Sequence, residues 1–306
     1  MRQKSFTLGP QRQKGRSMID IRTYDIEKIT GGAFDTFKIY ERYQAAMYLV
    51  CGRERACLVD TGFGLRDLAE LTGALTPLPV LVVNTHSHED HVLGNHFFRR
   101  ALMHPADRSL YDKIVSGYAE MLNAPWVQES FGEYLRDFDP ASVCFPETED
   151  ITDGSVIDLG GRKLETVGIP GHTAGSILLL DREAKLCFSG DAIIEHLWLF
   201  LEESQPPEIY LNALKRAAGI MRDAGTERIY NGHYAWKPMT MSDAETILSG
   251  MERIVAGDAA GKPFKNDEGS GTEFRFGELS VLCRPERKAS FCHPNGFSPN
   301  SRKALH

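Results

Sequence analysis

Paired cysteines, long apolar runs and an excess of basic residues are all absent from this sequence. Its six cysteines contain no C-x-x-C pair, which excludes a zinc ribbon and a thioredoxin-like redox motif. Because they are spread over a long chain, we expect reduced thiols packed in the core of a cytoplasmic protein. The six positions are Cys51, Cys57, Cys144, Cys187, Cys283 and Cys292.

No apolar run approaches the roughly 18 residues that a membrane helix requires, so no membrane contact is expected. The basic residues 1–17 lack the apolar segment of a secretory signal, and we expect a disordered extension there, with regular patterning from Met18. The net charge of −7 disfavours nucleic-acid recognition, which requires clustered Lys and Arg. The charge does not exclude a local basic groove. We also expect a small-molecule substrate, and a homodimer is compatible with the sequence.

The composition is that of an ordinary globular protein, with 42% apolar and 25% charged residues. Since no repeat or linker divides the chain, we expect one domain over residues 18–284, with a helical insertion at about 106–139 and a flexible tail at 285–306. Large side chains of the insertion either cover a site as a lid or pack onto the domain: Tyr118, Met121, Trp126, Phe131, Tyr134 and Phe138.

Short apolar runs that alternate with glycine-containing turns and amphipathic segments predict a mixed α/β fold. Ser242 and Glu245 have the spacing of a capping box at the start of the last helix. Strands are predicted at 46–50, 56–60, 80–84, 101–105, 156–159, 163–169, 177–181, 185–189, 228–231 and 272–282, and helices at 207–224 and 242–256.

Three of the ten histidines lie together in T-H-S-H-E-D-H at 85–91, directly after a predicted strand. A buried imidazole has two nitrogens that need partners, and a metal ion would supply some of them. Four further motifs also place a polar residue in a loop after a predicted strand, where ligand sites of layered α/β folds collect. They are V-D-T-G at 59–62, P-G-H-T-A-G-S at 170–176, F-S-G-D-A at 188–192 and N-G-H-Y at 231–234.

The motifs together contain five histidines and two carboxylates that can act as ligands. This mixture is preferred by Zn²⁺, Fe or Mn rather than by Ca²⁺ or Mg²⁺, and it is large enough for two metal ions. The candidate ligands are His86, His88, His172, Asp90, His91, Asp191 and His233.

The sequence resembles the metallo-β-lactamase superfamily from about Tyr48 to His233. Its H-x-H-x-D-H signature is matched at 86–91, and all five motifs occur in the family's order. The resemblance implies an αββα sandwich, in which two mixed sheets pack face to face with helices outside. It also implies that His86, His88 and His172 hold one metal, that Asp90, His91 and His233 hold the other, and that Asp191 bridges them. Asp60 would support the histidine loop without contacting metal.

Two positions depart from branches of the superfamily. Asp191 stands where true β-lactamases carry cysteine, which favours the glyoxalase II, lactonase and phosphodiesterase branches. His88 replaces the glutamate of the diiron flavoprotein oxygen reductases. The basic glutathione-binding residues of the glyoxalase II C-terminal helices have no clear counterpart after Ser242, which disfavours that particular activity.

The resemblance implies a hydrolase with two divalent metal ions, Zn²⁺ first and Fe or Mn as alternatives. Two such ions can share a hydroxide at neutral pH, which would cleave an ester, thioester or lactone. Asp90 and Asp191 would be the catalytic carboxylates, with Asp90 placed to orient the nucleophile. Alternatives are a phosphodiesterase or RNA-processing nuclease, a sensing protein without turnover, and an iron-dependent redox enzyme like the persulfide dioxygenases.

Residues beside the motifs are candidates for the substrate pocket. His196 follows Asp191 by five positions, and Tyr234 and Trp236 follow His233 directly or nearly so. Each of the three either faces substrate or packs in the ordinary way. Glu195 is expected to be solvated.

Overall fold

The computed structural model describes residues 24–41, 45–64, 67–135, 143–233 and 237–287. Within these ranges the chain forms three mixed β-sheets and seven α-helices. The predicted N-terminal extension, the end of the predicted tail, and Cys292, Phe138, Tyr234 and Trp236 lie outside the described residues. No helix in the described part of the chain is long and apolar enough to cross a membrane.

The first sheet contains seven strands in chain order. Strands β1 to β4 are antiparallel to their neighbours, and β4 to β7 are parallel. The strands are β1 (Tyr24–Ile29), β2 (Thr36–Glu41), β3 (Ala45–Cys51), β4 (Ala56–Val59), β5 (Val80–Val83), β6 (Ala101–Met103) and β7 (Thr148–Asp150).

The second sheet has the strand order β13-β11-β10-β9-β8, with β13 parallel to β11 and the other pairs antiparallel. A third sheet has the order β12-β16-β15-β14. The strands are β8 (Val156–Asp158), β9 (Lys163–Gly168), β10 (Ile177–Asp181), β11 (Leu186–Gly190), β12 (His196–Leu199), β13 (Arg228–Asn231), β14 (Lys262–Asn266), β15 (Gly269–Phe276) and β16 (Leu279–Cys283).

Seven α-helices lie in the described part of the chain. They are α1 (Leu68–Leu75), α2 (Glu89–Val92), α3 (Arg108–Ser116), α4 (Tyr118–Leu122), α5 (Pro125–Leu135), α6 (Pro207–Asp223) and α7 (Met241–Ala256). Helix α1 packs on the first sheet, and α6 and α7 pack on the second.

The central core lies between the first and second sheets. All seven residues of β3 are buried, because both faces of this strand are covered. Its Tyr48 and Val50 face the second sheet, while Met47 and Leu49 face helix α1. The order helix, sheet, sheet, helix confirms the predicted αββα sandwich, to which the third sheet is added beside α7.

Two local predictions at the C-terminal end are wrong. The predicted strand 272–282 is a hairpin of β15 and β16, because Gly277 adopts φ 69° and reverses the chain. Helix α7 is capped two residues earlier than expected: Thr240 donates its backbone N–H and its hydroxyl to the carboxylate of Asp243, at 2.7 and 2.8 Å. Glu245 instead accepts a hydrogen bond from Arg222 at 2.9 Å.

The segment between β6 and β7 contains the three helices α3, α4 and α5. Tyr118 and Leu122 are buried there in a small apolar cluster with Leu93, and Met121 and Phe63 pack against it. Tyr118 and Met121 therefore pack within this cluster. The side chains of Trp126, Phe131 and Tyr134 lie outside the described part.

The described cysteines form no disulfide, and Cys51, Cys57, Cys187 and Cys283 are buried as expected. Cys144 is exposed, so its prediction as a core residue is wrong. It lies in the irregular segment before β7, which has no sheet to cover it.

Candidate metal centre

The seven predicted ligands come from loops that follow strands at one edge of the sandwich. His86 and His88 follow β5, and the short helix α2 carries Asp90 and His91. The other three ligands, His172, Asp191 and His233, follow β9, β11 and β13. Parallel pairing of β11 with β13 brings their carboxyl ends to the same edge, which places Asp191 beside His233.

His86, His88 and His172 form the first candidate metal site. His86 Nε2 lies 3.1 Å from His88 Nδ1, and His172 Nε2 lies 2.9 Å from the same atom. The three rings are nearly perpendicular to one another, with interplanar angles of 87°, 77° and 89°. Their nitrogens thus converge on one point.

Asp90, His91 and His233 form a second candidate site, with ligand atoms within 4.8 Å of one another. Asp90 Oδ2 lies 3.6 Å from His91 Nε2 and 3.4 Å from His233 Nε2. Asp191 lies between the two groups. Its Oδ1 is 3.6 Å from His91 Nε2, and its Oδ2 is 2.9 Å from His233 Nε2 and 3.7 Å from His172 Nε2.

Two buried polar atoms show that this arrangement suits a cation. His91 Nε2 and Asp191 Oδ1 have no hydrogen-bond partner among the described residues. Burying a polar atom without a partner is costly, and both atoms point into the cluster. A site of imidazole nitrogens and carboxylate oxygens fits a divalent transition metal, with these two atoms among its ligands.

Asp60 supports the histidine loop from behind. Its Oδ1 accepts a hydrogen bond from the Thr85 backbone N–H at 2.7 Å, and its Oδ2 accepts from the Thr85 hydroxyl at 2.8 Å and from His91 Nδ1 at 2.9 Å. Asp60 adopts φ 61°, a left-handed conformation that is uncommon outside glycine. These contacts leave His91 Nε2 as the nitrogen that faces the cluster.

Three other histidines are held through the nitrogen that points away from the cluster. His86 Nδ1 lies 3.2 Å from the Thr85 hydroxyl, and His172 Nδ1 donates to the Trp198 carbonyl at 2.8 Å. His88 Nε2 lies 2.7 Å from Glu203 Oε1. Metal-binding imidazoles are generally oriented by such partners.

Glu203 and Asp107 take part in this support and were missed from the sequence. Asp107 Oδ2 accepts from the Ser87 backbone N–H at 3.1 Å and from the Thr173 hydroxyl at 2.7 Å, and its Oδ1 accepts from the Gly175 N–H at 2.6 Å. It therefore joins two ligand loops. Neither carboxylate belongs to a motif, so no spacing signal identifies them.

A family profile described as the metallo-beta-lactamase superfamily matches residues 40–233. The chain belongs to the metallo-beta-lactamase superfamily. Its members use divalent metals, and this chain has the histidine and aspartate groups to hold them. The resemblance identified from the H-x-H-x-D-H motif is confirmed.

Two relatives of the chain are named as a thioesterase and a hydrolase. The chain is 31% identical over 223 residues to a Bos taurus protein named acyl-coenzyme A thioesterase MBLAC2, covering 65% of this chain and 77% of the relative. It is 28% identical over 155 residues to a hydroxyacylglutathione hydrolase of Mesorhizobium japonicum, covering 51% and 48%. These relatives and the family match identify the chain as a hydrolase.

A solved metallo-beta-lactamase from Pontibacter korlensis shares the fold. It has a TM-score of 0.54 and 20% identity, and the match covers 74% of this chain and 99% of that one. At this identity the likeness shows the architecture alone. It agrees with the αββα order described above.

The histidines of the candidate metal centre differ in their pKa values in the metal-free chain. Burial lowers the pKa of His172 to about 4, and burial together with His91 lowers that of His86 well below its usual value. Burial also opposes the charged form of His91 and His233, yet neighbouring carboxylates raise their pKa values to about 10 and about 9. At neutral pH His91 and His233 are therefore protonated, whereas His86 and His172 are neutral. In His88 burial lowers the pKa, but the hydrogen bond with Glu203 and the neighbouring carboxylates together outweigh burial and raise it.

Of the three predicted pocket residues, only His196 lies among the residues that the structure describes. It begins β12, is exposed, and has Nδ1 2.9 Å from Ser280 Oγ. The expectation that Glu195 is solvated is wrong. Its carboxylate accepts a hydrogen bond from Asn231 Nδ2 at 2.7 Å, and Asn231 Oδ1 accepts one from the His233 backbone N–H at 3.0 Å. Glu195 thus supports the loop that carries His233.

Proposed function

We propose that this protein is a metal-dependent hydrolase of acyl thioesters. The observation that carries the thioester assignment is the similarity to the bovine acyl-coenzyme A thioesterase, which extends over 223 residues. The hydroxyacylglutathione hydrolase similarity points to the same bond type, because its substrate name also describes an acyl group on a thiol. The cluster of five histidines and two aspartates could hold the metal ions that such a hydrolysis requires.

His86, His88 and His172 would hold one divalent metal ion, and Asp90, His91 and His233 the other, with Asp191 between them. Zinc is the metal we favour, because imidazole and carboxylate ligands suit it, and Fe or Mn are the alternatives. Bound there, the two ions would polarise the thioester carbonyl and lower the pKa of an attacking water.

The protein's own groups then orient the reactants. Asp90 is the more exposed of the two cluster carboxylates, with 17% of its side chain exposed against 11% for Asp191. A carboxylate in this position can orient the attacking water and accept its proton. A thiolate leaves readily because a thiol has a pKa of about 8.5. Protonation of the leaving group is therefore less demanding than for an alcohol.

A substrate panel tests the proposal. Zinc-loaded protein is incubated with acyl-coenzyme A esters of several chain lengths, with simple oxygen esters, with lactones and with bis-p-nitrophenyl phosphate. We expect release of free thiol that is lost on chelation and restored by zinc. Turnover of the phosphodiester or the lactones with the thioesters left intact would contradict the thioester assignment. Oxygen consumption by an iron-loaded sample with a persulfide would favour the redox alternative instead.

We also propose a cytoplasmic location and a homodimeric assembly. The unpaired buried thiols favour a reducing compartment. The expected small-molecule substrate is consistent with the thioester assignment, and the negative net charge disfavours a nucleic-acid partner. Native mass spectrometry tests the dimer, and a fluorescent fusion tests the location.

A further inference from the structure

His88 differs from the other histidines of the first candidate site in the nitrogen that it presents. It turns Nδ1 toward His86 and His172, whereas those two residues present Nε2. Its Nε2 therefore points outward, away from the cluster. There it meets Glu203 Oε1 at 2.7 Å, across 115 residues of sequence.

The loop that carries Glu203 is held on both sides by the rest of the molecule. Ser204 Oγ donates to the His172 carbonyl at 2.9 Å, and the Gln205 backbone N–H donates to the Gly171 carbonyl at 2.7 Å. On the other side, the Arg287 guanidinium donates to the carbonyls of Leu201 and Glu202, at 3.2 and 2.9 Å. Glu203 is thus fixed in place by its neighbours.

The chemistry of the pair suits a fixed tautomer. Glu203 Oε1 lies at hydrogen-bond distance from His88 Nε2, 2.7 Å, so the two atoms share one proton-mediated contact. An ionised carboxylate can only accept, which requires the proton of the His88 ring to be on Nε2. In the neutral ring, Nδ1 then carries the lone pair that a metal ion would take. Carboxylate–histidine pairs of this kind orient metal-bound imidazoles.

We propose that Glu203 is a positioning residue of the candidate metal centre, which fixes the tautomer and ring orientation of His88 so that Nδ1 is available to the first metal ion. This inference rests on the proposed metal centre and does not depend on the identity of the substrate. Among the candidate ligands, His88 is the one to which the described hydrogen bonds connect the Glu203 side chain. Its effect on the metal is therefore exerted through that ring.

The test compares zinc binding by Glu203→Ala and Glu203→Gln with that of the wild-type chain. The neighbouring Glu202→Gln is the matched control, because Glu202 is exposed and its side chain contacts no candidate ligand. Affinities for the two zinc ions are measured by competition with a chromophoric chelator. Long-range ¹H–¹⁵N NMR of the histidine rings reports the tautomer of His88 with and without zinc.

We expect Glu203→Ala to weaken binding of the zinc ion at the first candidate site by about 10–100-fold. His88 should then populate both tautomers. Glu203→Gln should lose less, because its amide oxygen accepts the same hydrogen bond without the charge. Glu202→Gln should match the wild type. Since 30% of the Glu203 side chain is exposed, truncation should be tolerated, and where Glu203→Ala fails to fold, Glu203→Gln decides the question.

Unchanged zinc affinities together with an unchanged His88 tautomer in both variants would overturn the inference. If the wild-type chain binds no zinc, the proposed metal centre and this role of Glu203 both fail. If zinc binding weakens as expected but no thioester is hydrolysed, the role of Glu203 stands and only the proposed substrate class is wrong.

Discussion

At the scale of single residues, Asp60 is the clearest case in which backbone conformation serves the site. Its left-handed φ of 61° is unfavourable for most side chains, and only aspartate, asparagine and glycine adopt it readily. The conformation aims one carboxylate at both Thr85 and His91. A local turn thus orients a ligand thirty-one residues away.

Asp60→Ala should lower the free energy of unfolding of the metal-free protein by about 2–4 kcal/mol, because buried donors of Thr85 and His91 lose their acceptor. Asp60→Asn should cost less, since asparagine tolerates the same φ and keeps one acceptor oxygen. Urea unfolding followed by circular dichroism measures both. A loss below about 0.5 kcal/mol for the alanine variant, as for an ordinary surface substitution, would show that this support is not needed.

The protonation of His91 and His233 predicts the pH dependence of metal binding. Their pKa values of about 10 and about 9 in the metal-free chain mean that both carry protons at pH 7, which a metal ion must displace. Because fewer protons remain to be displaced as the pH rises, zinc affinity at the second site should increase between pH 7 and about 9. Calorimetry in buffers of different ionisation enthalpy should detect the released protons. A binding enthalpy that is the same in all buffers would refute this.

At the scale of elements, apolar runs and glycine-containing turns were enough to predict most central strands. Strands β10 and β13 have the predicted bounds, β5 ends one residue earlier than predicted, and β11 is shifted by one residue at both ends. Prediction failed where two local patterns competed. T-M-S-D and S-D-A-E overlap at the start of α7, and the chain uses Thr240 and Asp243 of the first. The edge strand β1 and its neighbour β2 were missed because alternating polar residues interrupt their apolar pattern.

Asp107 lies at the start of α3 and joins two of the ligand loops by hydrogen bonds. Asp107→Ala should destabilise the protein by about 2–4 kcal/mol, because the Ser87 and Gly175 N–H groups and the Thr173 hydroxyl all lose their acceptor. The variant should also weaken zinc binding, since His86, His88 and His172 belong to the loops that it joins. Asp112→Ala, on the exposed side of α3, is the control and should leave both properties unchanged. Equal stability of the two variants, measured by thermal unfolding, would exclude this role.

At the scale of the whole molecule, the order of five motifs predicted which loops meet. All seven predicted ligands lie at one edge of the sandwich, because each follows a strand that ends there or lies on the short helix α2 at that edge. The supporting residues Glu203, Asp107 and Glu195 could not be found in this way. Their contacts join segments far apart in sequence, and each is an isolated carboxylate without a spacing pattern. The third sheet was missed because β12 and β16 pair in parallel across a long stretch of chain.

Metal content of the wild-type chain and of Asp191→Ala, measured by elemental analysis after saturation with zinc and removal of the excess, tests the central claim most directly. Asp191 is the residue that lies between both groups of histidines. We predict about two zinc ions per wild-type chain and at most about one in the variant, with the far-ultraviolet spectrum unchanged. A wild-type chain that retains no zinc, or a variant that retains two, would contradict the account.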